Sequence, residues 1–332
     1  MARAIVNLPA LGSRPSGKGA FIVNNTSVAP KAKRKKRLRT DYMLCCMLIP
    51  GFIYLAIFEF LPLFGLVIGF QDFKLSRGVF GSKWIGLDNF TYIFTMYPNF
   101  WRIVKNTVQI ALLKLCFGFT APILVALMLH EVKNRIYKRT IQTLVYIPHF
   151  VSWVILAGIL RTMLDPQNGL FNYILSLFGH DPIYFLGSNQ TFRAVLIVSD
   201  VWKGFGWGTI IYMAALTGVD PALYEAATID GASRFQRTLN ITLPSIMPII
   251  VLNLILSVPG ILNAGFDQIF NLYNERVYKT ADVLDTFIYR LGIQDSQYGL
   301  STAIGLVKSA IGSVLLMFSY WVANKTCGYK VF

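Results

Sequence analysis

Of the 332 residues, 55% are hydrophobic and only 14% charged, where a soluble domain of this size carries about 25% charge; the balance argues against a soluble domain and for an integral membrane protein. The net charge of +15 does not indicate nucleic-acid binding. Much of it sits in one block, Lys31, Lys33, Arg34, Lys35, Lys36, Arg37 and Arg39, which lacks base-reading or aromatic partners and, lying just before the first apolar run, reads as a cytoplasmic anchor beside anionic lipid.

Residues 1–41 form a basic tail rich in Gly, Ser, Pro, Asn and Lys, a composition that predicts disorder. Gly12-Ser-Arg-Pro-Ser-Gly17-Lys18-Gly19 fits all but the last position of a phosphate-cradling G-x-x-x-x-G-K-[ST] loop. Gly19 replaces the hydroxyl that would hold magnesium, and Pro15 stiffens the loop, so no nucleotide site is assigned. Nor is the tail a signal peptide: its basic run is long and late, and no small-residue cleavage site follows.

From Tyr42 the apolar runs are long enough to span a bilayer, which takes roughly 20 residues at 1.5 Å each. Six spans are predicted, near 43–70, 104–130, 140–164, 193–217, 246–267 and 303–324. The expected organisation is the tail at 1–41, a first span with its outside loop at 42–103, a core membrane domain at 104–324 and a C-terminal segment at 325–332. Pro50, Gly51 and Pro62 allow bends in the first span, where Glu59 sits among apolar residues. Orientation follows from the basic residues. With the tail inside, the loop at 131–139, carrying Lys133, Arg135, Lys138 and Arg139, and the loop at 218–245, carrying Arg234 and Arg237, are inside as well. The loop at 165–192 faces out and holds only Arg-free and Lys-free sequence up to its end. The outside loops at 71–103 and 268–302 do carry basic residues, but loops of that length weigh less in the rule. Both termini are therefore expected in the cytoplasm. The aromatic residues at 71–103 and the apolar ones at 165–192 are expected to pack on their own helices.

The stretch from Asp220 to Pro248 is polar and full of helix punctuation. Asp220 can cap a helix and Pro221 suits its first position; Ala222 to Ile229 favour helix, and Gly231 sits where a left-handed terminal residue is expected. Ala232 to Leu239 is predicted to restart as a second short helix, stopped by Pro244. Within it, Glu225-Ala226-Ala227, Asp230-Gly231-Ala232 and Ile241-Thr242-Leu243-Pro244 resemble the EAA signature of permease subunits in ABC-type importers. The resemblance covers most of the chain after Tyr42. It is nearest to permeases for complex sugars and oligosaccharides, through WIGLDNF (84–90), NGLFNYIL (168–175) and ADVLDTFIYRLG (281–292).

The resemblance implies an all-α polytopic membrane protein of the type I importer fold, with six transmembrane helices and a cytoplasmic coupling helix, in the inner (cytoplasmic) membrane of a bacterium. Glu225, Ala226, Ala227, Asp230, Gly231, Ala232, Ile241, Leu243 and Pro244 would form the element that meets an ATPase. The implied partners are a second permease, making a heterodimer, two ATPase subunits, an external solute-binding protein and a sugar; ATP and magnesium would belong to the ATPase, leaving this chain without a cofactor.

The residues supply no catalytic constellation of their own: G-x-S-x-G, H-E-x-x-H and C-x-x-C are all missing, and no believable phosphate loop replaces them. The four cysteines, Cys45, Cys46, Cys116 and Cys327, and the three scattered histidines lack metal-ligand spacing, so no metal site is predicted. Polar residues inside the spans usually face a cavity or a partner. Trp153, Trp207, Asn253, Asn263 and Lys308 are the candidates for a sugar pathway, since aromatic faces stack on C–H surfaces and amides match hydroxyls. Asp200 and Lys203, three apart, could pair on one helix. Two other classes remain open at this point. A secondary transporter or channel explains spans and buried charges but leaves the EAA loop a coincidence, and a membrane-embedded enzyme lacks a catalytic cluster.

Overall fold

The computed structural model describes residues 33–327; the phosphate-loop look-alike at 12–19 and the last five residues lie outside that range. The chain divides into two units, one ending at Leu61 and the other beginning at Pro62. In the first, helix α1 (Lys33–Leu55) runs into a π-helical turn over Ala56–Phe60. The boundary drawn at 41/42 falls inside α1, because the Lys/Arg run is itself good helix former and Pro50 does not end the helix. The first span covers Cys45–Phe70.

The second unit carries the rest. A two-residue antiparallel pair, β1 (Gln71–Asp72) with β2 (Lys83–Trp84), registers Gln71 against Trp84 and precedes helix α2 (Asp88–Thr95). Phe70 stacks on Trp84 at 5.7 Å, and Phe73 meets Tyr298 edge-on. The aromatic residues of this loop thus fold back on their own chain as expected, apart from the fully exposed Phe80.

Helix α3 (Phe100–Glu131) is followed by α4 (Arg135–Phe150) and α5 (Trp153–Met163), which meet at 101°. The predicted single span at 140–164 is therefore a broken one. Pro148 lies in the last turn of α4, and Ser152 starts α5 by accepting from the Ile155 N–H. A helix stop and a helix start within four residues produce the elbow. After the short α6 (Leu170–Leu177), helix α7 (Phe192–Leu216) packs on both α3 and α4. Its glycines let the backbones close: a methyl at Gly208 would stand 2.8 Å from Pro122, and one at Gly206 would overlap Val145. Small residues play this part at helix crossings in membranes generally.

Helix α8 (Pro221–Ile229) leads to α9, which runs unbroken from Arg234 to Leu262. Pro244 does not stop it. A π-helical turn over Thr238–Thr242, in which Leu243 N–H bonds to Thr238 O, widens the helix just before the proline ring, so the ring is accommodated within a continuing helix. The predicted second short helix is thus the first turn of the fifth span. The span ends at Leu262, and Gly265, at φ +90°, precedes α10 (Phe266–Leu272). Helix α11 (Leu284–Tyr289) and the long α12 (Tyr298–Cys327) complete the unit.

The segment 278–290 is locked to α3 and α7 by polar bonds. Asn106 donates to the carbonyls of Lys279 and Asp282, and Arg193 bonds both Asn106 and Thr280. Arg290 pairs with buried Asp282 at 2.5 Å. Burial alone would ease the proton off Arg290, but the bond to Asp282 outweighs it and holds the guanidinium charged more firmly than usual.

Candidate functional site

Two places in the second unit combine exposure or a cavity with specific side chains. The first is the element at 220–237. Asp220 accepts from the Ala222 N–H at 2.9 Å, capping α8 with Pro221 at its start. The far end closes in a Schellman arrangement: Gly231 N–H bonds to Thr228 O, and Ala232 N–H to Ala227 O. Gly231 has φ +77°, with open space around the position a Cβ would take. Ser233 and Gln236 then form a reciprocal capping box at the start of α9. Arg237 donates to Thr228 across the bend at 2.6 Å.

The element is tied to the membrane helices through Tyr224, whose hydroxyl shares a hydrogen bond with buried Thr242 and whose ring lies 5.7 Å from His130. Its outer face is left open. Leu223, Glu225, Ala226, Ile229, Asp230 and Phe235 are exposed, Ile229 at 86%. Ala227 and Ala232 are half-buried in the bend; Ile241 and Leu243 are half-buried on α9, and Pro244 is exposed. An exposed isoleucine and phenylalanine beside a carboxylate, on a small rigid platform, suit a protein partner better than water.

The second place is a cavity of about 310 Å³ among α3, α7 and the end of α9, lined in part by Lys114, Asp200, Tyr212, Asn253, Ser257 and Asn263. Asn253 donates to the Tyr212 hydroxyl at 2.9 Å. At one wall Lys114, 9% exposed, gives its three protons to Ala264 O at 2.8 Å, Asp200 Oδ1 at 3.2 Å and Gln268 Oε1. Gln268, fully buried, donates in turn to Leu196 O and Ser199 Oγ. A charge in such a place is tolerated because every donor is matched.

Asp200 therefore pairs with Lys114 and not with Lys203, correcting the pairing expected from their spacing. Lys203 instead donates to His149 O at 2.7 Å and lies over the Trp153 ring. Trp207 stacks on His149 at 4.7 Å. Of the five pathway candidates, Asn253 and Asn263 line the cavity. Trp153 and Trp207 flank the elbow between α4 and α5, and Lys308 pairs with Asp285 elsewhere.

Residues 118–325 match the family of binding-protein-dependent transport system inner membrane components. The chain belongs to that family. It is 41% identical over 298 residues to the polygalacturonan/rhamnogalacturonan transport system permease protein of Bacillus subtilis (strain 168), covering 89% of this chain and 92% of that one. In the crystal structure of a bacterial ABC transporter involved in the import of the acidic polysaccharide alginate, one chain matches with a TM-score of 0.81 and 40% identity, covering 88% of this chain and 98% of that one. The alginate transporter in complex with an alginate pentasaccharide-bound periplasmic protein gives a TM-score of 0.81 and 39% identity, with 89% and 99% coverage. The fold is thus that of an ABC importer permease, and the family makes the chain a non-enzymatic transport subunit of the inner membrane.

Sequence reasoning passed over two residues that anchor this permease's cavity. Lys114 is a lone cation within ALLKLCF (111–117), a signal that was readable as an intramembrane charge in need of a partner. Tyr212, one of many tyrosines in the chain, carried no such mark.

Proposed function

We propose that this permease carries an acidic oligosaccharide, handed over by an external solute-binding protein, into the cytoplasm. It would act as one half of a heterodimeric pair driven by two ATPase subunits that hold ATP and magnesium. The observation that carries the reading is the exposed, self-capped element at 220–237. It is rigid through local bonds, joined to α9 without a break, and presents Leu223, Ile229 and Phe235 beside carboxylates on its open face. A push on α8 is therefore transmitted to the fifth span through the helix that Gly231 and Ser233 start. Glu225, Ala226, Ala227, Asp230, Gly231 and Ala232 belong to the docking element, with Ile241, Leu243 and Pro244 on the span it moves.

The cavity supports a saccharide as cargo. Its amides and hydroxyls at Asn253, Asn263, Ser257 and Tyr212 match sugar hydroxyls without demanding a charge, and Asn253 and Ser257 lie on the span that the docking element leads into. The acidic character rests on the relatives, one of them named for an acidic polysaccharide. Six crossings among the described residues, counting the bent pair α4–α5 as one, would leave both termini and the docking element on the cytoplasmic side.

The test is reconstitution of the purified complex in vesicles, with uptake of oligogalacturonates, alginate oligomers and neutral maltotetraose measured beside ATP hydrolysis. ATP-dependent uptake of a uronate oligomer, and not of maltotetraose, is the expected result. Equal uptake of maltotetraose removes the acidic substrate, and uptake without ATP turns the reading into a secondary transporter.

A further inference from the structure

A second cavity, about 370 Å³, lies between α10, α11 and α12. Three aromatic rings line it, Phe266, Tyr289 and Tyr298, together with Asp285, Ser301 and Thr302. Phe266 and Tyr289 are held at 5.6 Å by a small aromatic cluster in which Phe270 stacks on Phe266 at 5.1 Å and meets Tyr289 at 4.8 Å. Tyr298 is steadied edge-on by Phe73. Asp285 is ion-paired to Lys308, the two side chains being 21% and 17% exposed.

The site is not sealed like the Asp282–Arg290 pair, since Asp285 lines a cavity. Nor is it a lipid-facing groove, where a charge pair is costly. Pre-set aromatic faces beside a few fixed polar groups are the make-up of a small-molecule site. Aromatic rings offer flat surfaces to the C–H faces of a pyranose, while Asp285 and the Ser301 and Thr302 hydroxyls accept or donate to ring hydroxyls. Lys308, ion-paired to Asp285, offsets the charge of that carboxylate.

The linings of the two cavities meet at consecutive residues, Gly265 in the first and Phe266 in the second. Each alone sits near the lower end of the ~300–1,000 Å³ that ligand pockets occupy, room for a short saccharide and not for a longer chain. We propose that the α10–α11–α12 cavity is a second saccharide subsite, with Phe266, Tyr289 and Tyr298 as stacking faces. An oligosaccharide too long for the first cavity would extend past Gly265 into it. The subsite would then select for chain length, since only longer substrates gain its contacts. This inference rests on the saccharide reading given above.

The test uses the full complex in vesicles, with digalacturonate and tetragalacturonate as probes and the ratio of their uptake rates as the readout. Tyr289→Ala and Phe266→Leu should each lower the tetramer-to-dimer ratio about fivefold, while Tyr289→Phe, which keeps the ring, restores it to within twofold of wild type. A defect in folding or assembly lowers both rates together and leaves the ratio alone. A ratio unchanged in Tyr289→Ala and Phe266→Leu, with wild type carrying both probes, overturns the subsite and leaves the transport reading standing. A wild-type complex that carries neither uronate overturns both.

Discussion

The exposed element at 220–237 and the polar knot around Lys114 are both built from hydrogen bonds, yet they hold in opposite ways. In the element, partners lie two to nine residues apart, as in Asp220 with Ala222, Ser233 with Gln236 and Arg237 with Thr228. In the knot, Lys114 reaches residues 86, 150 and 154 positions away. The element can keep its shape while it moves as a unit, because nearly all of its bonds travel with it. The knot joins α3, α7 and the break before α10, so it exists only when three segments are assembled. Local bonding makes a part that is rigid by itself; distant bonding makes a frame that ties separate segments together.

The sharpest way to break that contrast is at the knot. Lys114→Met leaves Asp200, Gln268 and the Ala264 carbonyl without their donor, and removing one partner of a buried pair costs about 3–5 kcal/mol. The expected outcome is a large fall in the thermal midpoint of the purified complex, partly recovered when Asp200→Asn is added. An unchanged midpoint would show that the frame does not depend on this pair.

Gly231→Val should act on the element instead. Its cost is backbone strain at positive φ of about 1–2 kcal/mol, since a Cβ there meets nothing within 4 Å. The midpoint should stay near wild type while binding-protein-stimulated ATP hydrolysis and uptake are both lost. Normal coupling in this variant would reduce the element to a connector.

Ser233→Ala tests whether the bonds are as local as they look. Loss of the cap costs about 1 kcal/mol, a factor of roughly five in local opening. Amide exchange should quicken by that factor at Arg234–Arg237 and stay constant along α7. The smallest effect is expected from Glu225→Lys, an exposed charge on the open face of the element. ATPase-subunit affinity should weaken at low ionic strength, and the difference from wild type should shrink as salt is raised toward 1 M, where the Debye length is about 3 Å. A difference that salt leaves unaltered would mean that the side chain packs and does not act by charge.

The same division explains what could be read from the chain. The caps, the left-handed Gly231 and the start of α8 were legible because each depends on residues within one turn. The reading of Pro244 as a helix stop failed because the π-helical turn that absorbs the proline has no local sequence mark. The elbow at Val151–Ser152 was hidden inside an apolar run, although Pro148 and a capping serine stood beside it. Asp200 was given the wrong partner since spacing on one helix proposes only neighbours, and Lys114 lies on another. Asn253 and Asn263 stand out by polarity alone and line the cavity, whereas Trp153 and Trp207 stand out equally and are held at the elbow away from it.

That elbow bears on how the protein is made. Helix α4 has 16 residues and α5 has 11, so they reach about 24 Å and 16 Å, and neither crosses a hydrocarbon layer about 30 Å thick. The surface that covers α4 is α7, where Gly206 receives Val145 and Lys203 takes the His149 carbonyl, and α7 leaves the ribosome later. A chain arrested before Phe192 is therefore expected to leave 135–163 extractable while α3 is already integrated.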